Sequence, residues 1–361
     1  MRFPQFNDQW KQTTLGEESV IIMGQSPSSS NYNNKGLGLP LIQGNADMRS
    51  GRTIIRLYTT EITKEALKDD IIMSVRAPVG ALSITPFQCC IGRGVCAIRA
   101  GKYIYYYLQD CSKTWSKYSA GSTFDSITGE NLRNLPLSLP SLAEQQKIAD
   151  FLNLIDERIE SCSETIKERK REKVALLNQL FSQKLRFPDF NDEWTQTTLG
   201  EIADVYQPTT ISSSDLNGLG DYYVYGANGI IGRYHSYNHQ KKQICIACRG
   251  SSCGTVNLTK EYVWITGNSM VVNLDNHSYS TKLFVYYYLN TLNYAPYISG
   301  SGQPQIIRSS IVNITLRIPS LAEQKKIADF LSLIDERIEV EEELLEQYER
   351  QKRYLLRQMF V

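Results

Sequence analysis

Few residues in this 361-residue chain are of types and spacings suited to chemistry. His235 and His239 stand four apart, Cys245 and Cys248 form a C-x-x-C shortly after, and Cys253 follows. Imidazoles and thiolates so spaced are the ligands of a tetrahedral zinc. The two cysteines, however, fall inside an apolar strand pattern, Ile244-Cys-Ile-Ala-Cys, where side chains alternate between faces and do not converge. No metal site is expected. Glu168-Arg-Lys170 matches the E-x-K fragment of many nucleases, yet it sits on a charged helix without a convincing acidic partner. There is no GxxxxGK[ST], no GxGxxG opening a helix after a strand, and no [ND]-P-P-[YF] tetrapeptide. Three histidines leave little general-base capacity. The residues point away from a self-sufficient enzyme.

What remains is binding chemistry. Arg76 and Arg249 hold matching places, each ending an apolar strand and followed by small residues and glycine. A guanidinium at a strand exit can aim its planar fork at a guanine edge or a phosphate; a surface salt bridge is the plainer alternative. Two polar loops, Ser119-Ala-Gly-Ser-Thr-Phe-Asp and Ser299-Gly-Ser-Gly-Gln-Pro-Gln, carry small residues that let backbone N–H groups approach an anion, or are simply turns. Net charge is +1, but it is unevenly spread: +4 over residues 18–138, +3 over 202–317 and −3 over 320–361. Two mildly basic globules and an acidic helix are compatible with nucleic acid on the globules. The eight cysteines form no framework, no apolar run approaches a membrane span, and nothing resembles a signal peptide, so a reducing cytoplasm is the expected setting.

The elements that must position these residues come in two copies. Residues 139–160 read LPSLAEQQKIADFLNLIDERIE and residues 318–339 read IPSLAEQKKIADFLSLIDERIE, with three differences in 22 at a shift of 179. Upstream, RFPQFNDQWKQTTLGE at 2–17 reappears as RFPDFNDEWTQTTLGE at 186–201. The chain is therefore one unit written twice: a lead-in segment, a variable domain, then a long helix. Ser141 with Glu144, and Ser320 with Glu323, spell a capping box in which the glutamate reaches back to the cap. Apolar residues recur at Ile148, Leu152, Ile155, Ile159, Cys162 and Ile166, a coiled-coil seam. After Ile166 the stripe is expected to slip to Lys170, Val174, Leu177 and Phe181, a stutter, and in the second copy Glu341 breaks it before Leu345. From Ser141 to about residue 184 such a helix is roughly 60 Å long. A seam that long needs a partner, which the second copy supplies; pairing about a pseudo-two-fold axis makes the helices antiparallel.

The variable domains diverge. Ile71-Ile-Met-Ser-Val and Val95-Cys-Ala-Ile in the first, and residues 222–225, 244–247, 262–265 and 270–272 in the second, read as strands. Each domain has one further helix, at 103–109 and 283–289, with a run of three tyrosines expected to pack and not to stack on bases. Mixed α+β with a curved sheet is the expected class.

With this architecture in view, the chain resembles the specificity subunit of a type I restriction–modification system. The resemblance is carried by Pro140-Ser-Leu-Ala-Glu-Gln-Gln-Lys-Ile-Ala and its twin at Pro319, by Gly300-Ser-Gly-Gln-Pro-Gln, by Arg76-Ala-Pro-Val-Gly and by Gly92-Arg-Gly-Val. It implies an α+β fold with two mixed α/β target-recognition domains, at 1–139 and 186–318, and an antiparallel coiled-coil pair, at 140–185 and 319–361. It implies a non-catalytic, sequence-specific DNA-binding subunit that reads a bipartite, asymmetric target on double-stranded DNA, one half-site per domain. Two methyltransferase subunits and, through them, restriction subunits are the implied partners, and S-adenosylmethionine, ATP and Mg²⁺ belong to them. The residues matched to DNA are Arg76, Arg93, Gly121, Ser122 and Thr123 in the first domain, with Arg249, Ser251, Ser301, Gln303 and Gln305 in the second. Those matched to partner docking are Glu144, Gln145, Lys147, Glu323, Gln324 and Lys326. The first domain departs from the pattern: it has Gly121-Ser-Thr-Phe-Asp where the second has a glycine-glutamine-proline run. A competing class is a non-DNA scaffold whose paired domains bind protein or glycan. If the helix pair is a ruler, the whole site fits within roughly 18 base pairs, at about 3.4 Å each.

Overall fold

The structure, a computed structural model, describes residues 1–111, 115, 126–212, 216, 220–300 and 302–360. The chain divides into two compact units, Met1–Glu164 together with Glu342–Val361, and Thr165–Glu341. Both long helices are shared between them. The first, Leu142–Phe181, has 40 residues and the second, Leu321–Met359, has 39.

In the first unit the lead-in strand Lys11–Thr14 pairs antiparallel with Pro136–Leu139, the strand that feeds the first long helix. A six-stranded sheet runs Val20–Met23, Val95–Arg99, Ile71–Ser74, Leu82–Ile84, Arg52–Thr53, Met48–Arg49. A five-stranded sheet contains Leu39–Ile42 parallel to Cys89–Ile91, so the sheets are mixed. Strands Ile71–Ser74 and Val95–Arg99 are near-continuous apolar runs because both of their faces are covered. Ile71, Met73, Cys96 and Ile98 join the core shared with the helices, while Ile72, Val95 and Ala97 join a smaller core toward the five-stranded sheet. Period-two alternation thus divides one strand between two cores.

The second unit repeats this with other residues. Thr195–Thr198 pairs with Thr315–Ile318, and the four-stranded sheet runs Asp204–Tyr206, Ser269–Asn273, Ile244–Ala247, Val256–Leu258. Ile244, Ile246, Met270 and Val272 face the helical core, and Cys245 and Val271 face the three-stranded sheet that includes Tyr222–Gly226 and Trp264–Ile265.

Within each unit the helix segments run antiparallel. In the first, Asp156 meets Lys352 at 2.6 Å, and Phe360 packs edge-on against Tyr103, whose hydroxyl donates to the Ser138 carbonyl just before the other helix begins. In the second, Lys173 pairs with Asp335, and Phe181 packs on Tyr288, whose hydroxyl accepts from the Arg317 N–H. The tyrosine helices, Lys102–Asp110 and Lys282–Leu289, lie against these segments. Tyr106 donates to Asp156 at 2.9 Å and Tyr287 to Asp335 at 2.8 Å, while Lys352 and Lys173 sit over the same two rings at 5.7 and 5.3 Å. Tyrosine, aspartate and lysine form one joint, built twice.

The seam corrects two readings of the sequence. Val174 is 57% exposed, so the stripe does not slip to Lys170 and Val174. It runs instead through Arg169 and Lys173 to Leu177 and Leu180, with polar side chains at seam positions, and the two successive four-residue steps at Lys173 place the stutter there. Lys173 is tolerated there because Asp335 neutralises it and the Tyr287 ring covers it. Likewise Glu341 is a half-buried member of the second seam and not a break in it.

Candidate functional site

One edge of each unit gathers the residues that the sequence singled out. In the second unit strand Ile244–Ala247 leads into Cys248, whose carbonyl accepts from Ile306 N–H at 3.0 Å. Arg249 and Gln305 then form an antiparallel bridge, and Gln305 pairs on its other side with Ser299 through two bonds of 2.9 Å. Gly250 N–H donates to the Pro304 carbonyl at 2.9 Å, which clamps the loop to the strand exit. Gly300, at φ +88°, leaves no room for a Cβ, since the Gln303 carbonyl oxygen would lie 2.6 Å from it.

The first unit makes the same hook from different residues. Ile127 N–H donates to the Val75 carbonyl at 3.0 Å, and Arg76 bridges to Ser126. Gly94 accepts from Val75 N–H at 2.9 Å, which brings Arg93 beside Arg76, and Arg93 N–H donates to Ser26 Oγ at 3.1 Å. Arg76, Arg93 and Arg249 are all exposed, and none has a carboxylate within 4.0 Å among the described residues. Unpaired guanidiniums on the lip of a backbone hook suit an anionic or hydrogen-bonding surface. Ser251, Gln303 and Gln305 are exposed on the same lip. Gly121, Ser122, Thr123 and Ser301 lie outside the described residues.

A signal for this edge was present in the sequence and is easily missed. Residues 71–109 hold four Lys and Arg, residues 222–260 hold five, and neither run contains an Asp or Glu. Each acid-free run carries its unit's strand-exit arginine.

The zinc-like set is dispersed. Cys245 lies in the core toward the three-stranded sheet, where burial pushes its thiol up to about 12. Cys248 points toward the Gly267 and Asn268 carbonyls at 3.6 and 3.2 Å. His239 is held between Tyr206 Oη at 2.9 Å and Asn238 Oδ1 at 2.6 Å, with its pKa lowered by burial. Among the described residues no group of three or more His, Cys, Asp or Glu is placed to hold a metal ion.

At the helix starts, Ser141 Oγ accepts from Glu144 N–H at 3.4 Å, but the carboxylate does not complete a capping box. It takes a two-pronged bond from Arg2, 2.7 Å on each oxygen, and Glu323 takes the same from Arg186 at 2.9 Å on each. The lead-in arginines, each placing two N–H donors of a planar charged fork on the carboxylate, outcompete a single backbone N–H. Glu144, Glu323 and Gln324 are fully buried, so the expectation that they face a partner is corrected: they hold the helix starts against the lead-in and the tyrosine helix. Gln145 is half-buried and donates to the Pro140 carbonyl. Lys147 and Lys326 are exposed, 5.9 and 5.8 Å over the Phe3 and Phe187 rings.

Two hooks on two repeated supports set the frame for comparison with known proteins. A family model for the type I restriction modification DNA specificity domain matches residues 7–170 and again 191–350. The chain belongs to that family. It is 37% identical over 187 residues to a Methanocaldococcus jannaschii protein named as the MjaX type I restriction enzyme specificity subunit, covering 50% of this chain and 44% of that one. With the EcoprrI specificity subunit of Escherichia coli it shares 25% over 255 residues, 65% of this chain and 61% of the relative. The matches thus span less than two thirds of these curated relatives. The fold is similar to the crystal structure of a type I restriction–modification S subunit from M. genitalium, with TM-score 0.69, 18% identity and 99% and 97% of the two chains covered. A chain from a study of complex assembly and conformational transition in a type I system aligns with TM-score 0.58 and 17% identity over 98% of each.

Proposed function

We propose that this chain is the DNA-specificity component of a type I restriction–modification complex. Each unit reads one half of a bipartite, asymmetric target, and partner methyltransferase and restriction subunits do the chemistry. The carrying observation is that two divergent domains make the same backbone hook and carry on it exposed Arg76 and Arg249, with no carboxylate partner among the described residues. The repeated helices support this: with three differences in 22 residues they offer one face twice, which suits two copies of one methyltransferase. Arg93, Ser251, Gln303 and Gln305 contact DNA beside these arginines, and Gly121, Ser122, Thr123 and Ser301 belong to the same loops. Lys147 and Lys326 lie in the partner-facing surface. S-adenosylmethionine, ATP and Mg²⁺ act on the partners, in the cytoplasm; among the described residues no helix is long and apolar enough to cross a membrane.

Methylome sequencing of cells with and without the gene tests this reading. A split, asymmetric methylated motif that disappears with the gene is expected, and the purified chain is expected to bind duplex DNA with an affinity that falls steeply with salt. Binding that ignores salt, or an unchanged methylome, would instead favour a scaffold that recognises protein or glycan.

A further inference from the structure

Beside Arg249 the second unit carries an element that the described residues of the first do not form. Strands Tyr222–Gly226 and Gly229–Tyr234 form a hairpin closed by Ala227 and Asn228, with Gly229 at φ +94°. Gly226 pairs with Gly229 and Tyr225 with Ile230, but Val224 pairs with Gly232, so Ile231 is the extra residue of a β-bulge. Bulges re-aim side chains, and here Ile230 and Ile231 stand 47% and 49% exposed at the tip.

The surroundings specify what such a tip meets. Ser269 Oγ donates to the Gly226 carbonyl at 2.8 Å, and the neighbouring Asn268 carbonyl accepts from Cys248 N–H at 3.0 Å. The tip therefore lies on the same edge as Arg249 and its hook. It grows from the acid-free run of residues 222–260, and the Tyr223 ring at its base is flanked by Arg233 at 4.4 Å and Lys260 at 4.9 Å. An apolar point beside clustered cations is complementary to an apolar stack enclosed by phosphates, and the nearest acids in sequence, Asp221 and Glu261, stand at the two ends of the run. The first unit has a polar turn in this place: Gly92 N–H donates to Ile42 as Thr266 N–H does to Tyr225, and the chain continues as Gln43-Gly44-Asn45.

We infer that Ile230 and Ile231 form a wedge that enters the minor groove of the second half-site and opens one base step. This unit then selects its half-site partly by how readily that step unstacks, which favours a pyrimidine–purine step. The inference rests on the DNA-reading function proposed above.

The test uses the complete chain and a duplex bearing the motif found by methylome sequencing, with 2-aminopurine placed at successive steps. Binding is expected to raise fluorescence at one step of the second half-site and at none of the first. The I230S/I231S double variant is expected to lose that rise and to bind roughly 10- to 100-fold more weakly, the worth of burying such side chains. Hydrogen exchange at Ile244–Ala247 checks that its fold is kept, and I230L/I231L, which retains the apolar tip, is expected to restore both signals. No fluorescence rise in the wild type, or unchanged affinity in the double variant, overturns the wedge while leaving DNA reading intact. Absence of salt-dependent duplex binding by the wild type overturns both. If the double variant abolishes self-association in sedimentation velocity and leaves DNA affinity unchanged, the tip is a contact between copies and the wedge is overturned.

Discussion

In the first unit Tyr106, Asp156 and Lys352 form a joint, and in the second Tyr287, Asp335 and Lys173 form it again with bonds that agree to 0.1 Å between tyrosine and aspartate. At the hook edge the two units agree in backbone and in one strand-exit arginine, and differ in the side chains around it. The first presents Arg76, Arg93 and the Gln43 turn, the second Arg249, Gln305 and an apolar hairpin. The difference separates two kinds of constraint. Side chains that meet the helices are fixed because the same helix sequence must be satisfied twice. Those on the lip are free to differ as long as carbonyls at Val75 and Cys248 still receive their N–H partners.

Breaking a helix segment tests the comparison most severely. Removing residues 342–361 takes Leu355, Leu356 and Met359 from the first unit's core, and at about 2–5 kcal/mol for each buried side chain the loss is comparable with the whole stability of a typical domain. Hydrogen exchange is expected to show loss of protection in Ile71–Ser74 and Val95–Arg99 with Ile244–Ala247 still protected. Equal loss in both units would show that they do not fold separately.

The lip comes next. Arg76→Ala and Arg249→Ala are each expected to weaken DNA binding by about 1–3 kcal/mol if the contact is a paired bond to a base, each at its own half-site only. Competition binding with each half-site scrambled in turn measures this, and an effect on both half-sites from one substitution would contradict independent reading.

The joint itself is worth less. Tyr106→Phe and Tyr287→Phe should each cost about 1–2 kcal/mol, with the two costs alike, in chemical denaturation. The same tyrosines give a pH signature. Burial, and then the nearby Asp156 and Asp335, raise their pKa values above the ordinary 10, and burial raises Tyr105 to about 12. Their neutral forms are favoured more strongly in the folded state than in the unfolded one, so this stability is complete below pH 10 and is lost as pH rises beyond it. An alkaline melt followed at 295 nm should show tyrosine ionisation coinciding with unfolding. Smallest of all, Val174→Glu should change stability by no more than about 0.5 kcal/mol, because that side chain faces water.

Duplication made the architecture legible: near-identity of two stretches announced two helices, two lead-ins and two variable domains before any geometry. Strand-exit arginines were legible in position, because each ends an apolar run and is followed by small residues and glycine; their role was not, since a surface salt bridge fits the same pattern. The seam between Ile166 and Leu177 was not, since hydrophobicity alone prefers Val174 to Lys173. Only a carboxylate and an aromatic ring more than a hundred residues away along the chain, Asp335 and Tyr287, reverse that order, and such long-range compensation leaves no local mark. Glu144 misled for a related reason. Its spacing from Ser141 fits a cap, but the competing donor, Arg2, lies in a segment that local pattern reading treats separately.

Each long helix carries both halves of the joint. Asp156 and Lys173 sit on the first, Asp335 and Lys352 on the second, so the recognition code on a single helix is complementary to itself. In genetic terms this makes the repeat tolerant of its own instability. Recombination between the two near-identical stretches of coding sequence would delete one domain, yet every surviving aspartate and lysine would still find its counterpart on another copy of the same product.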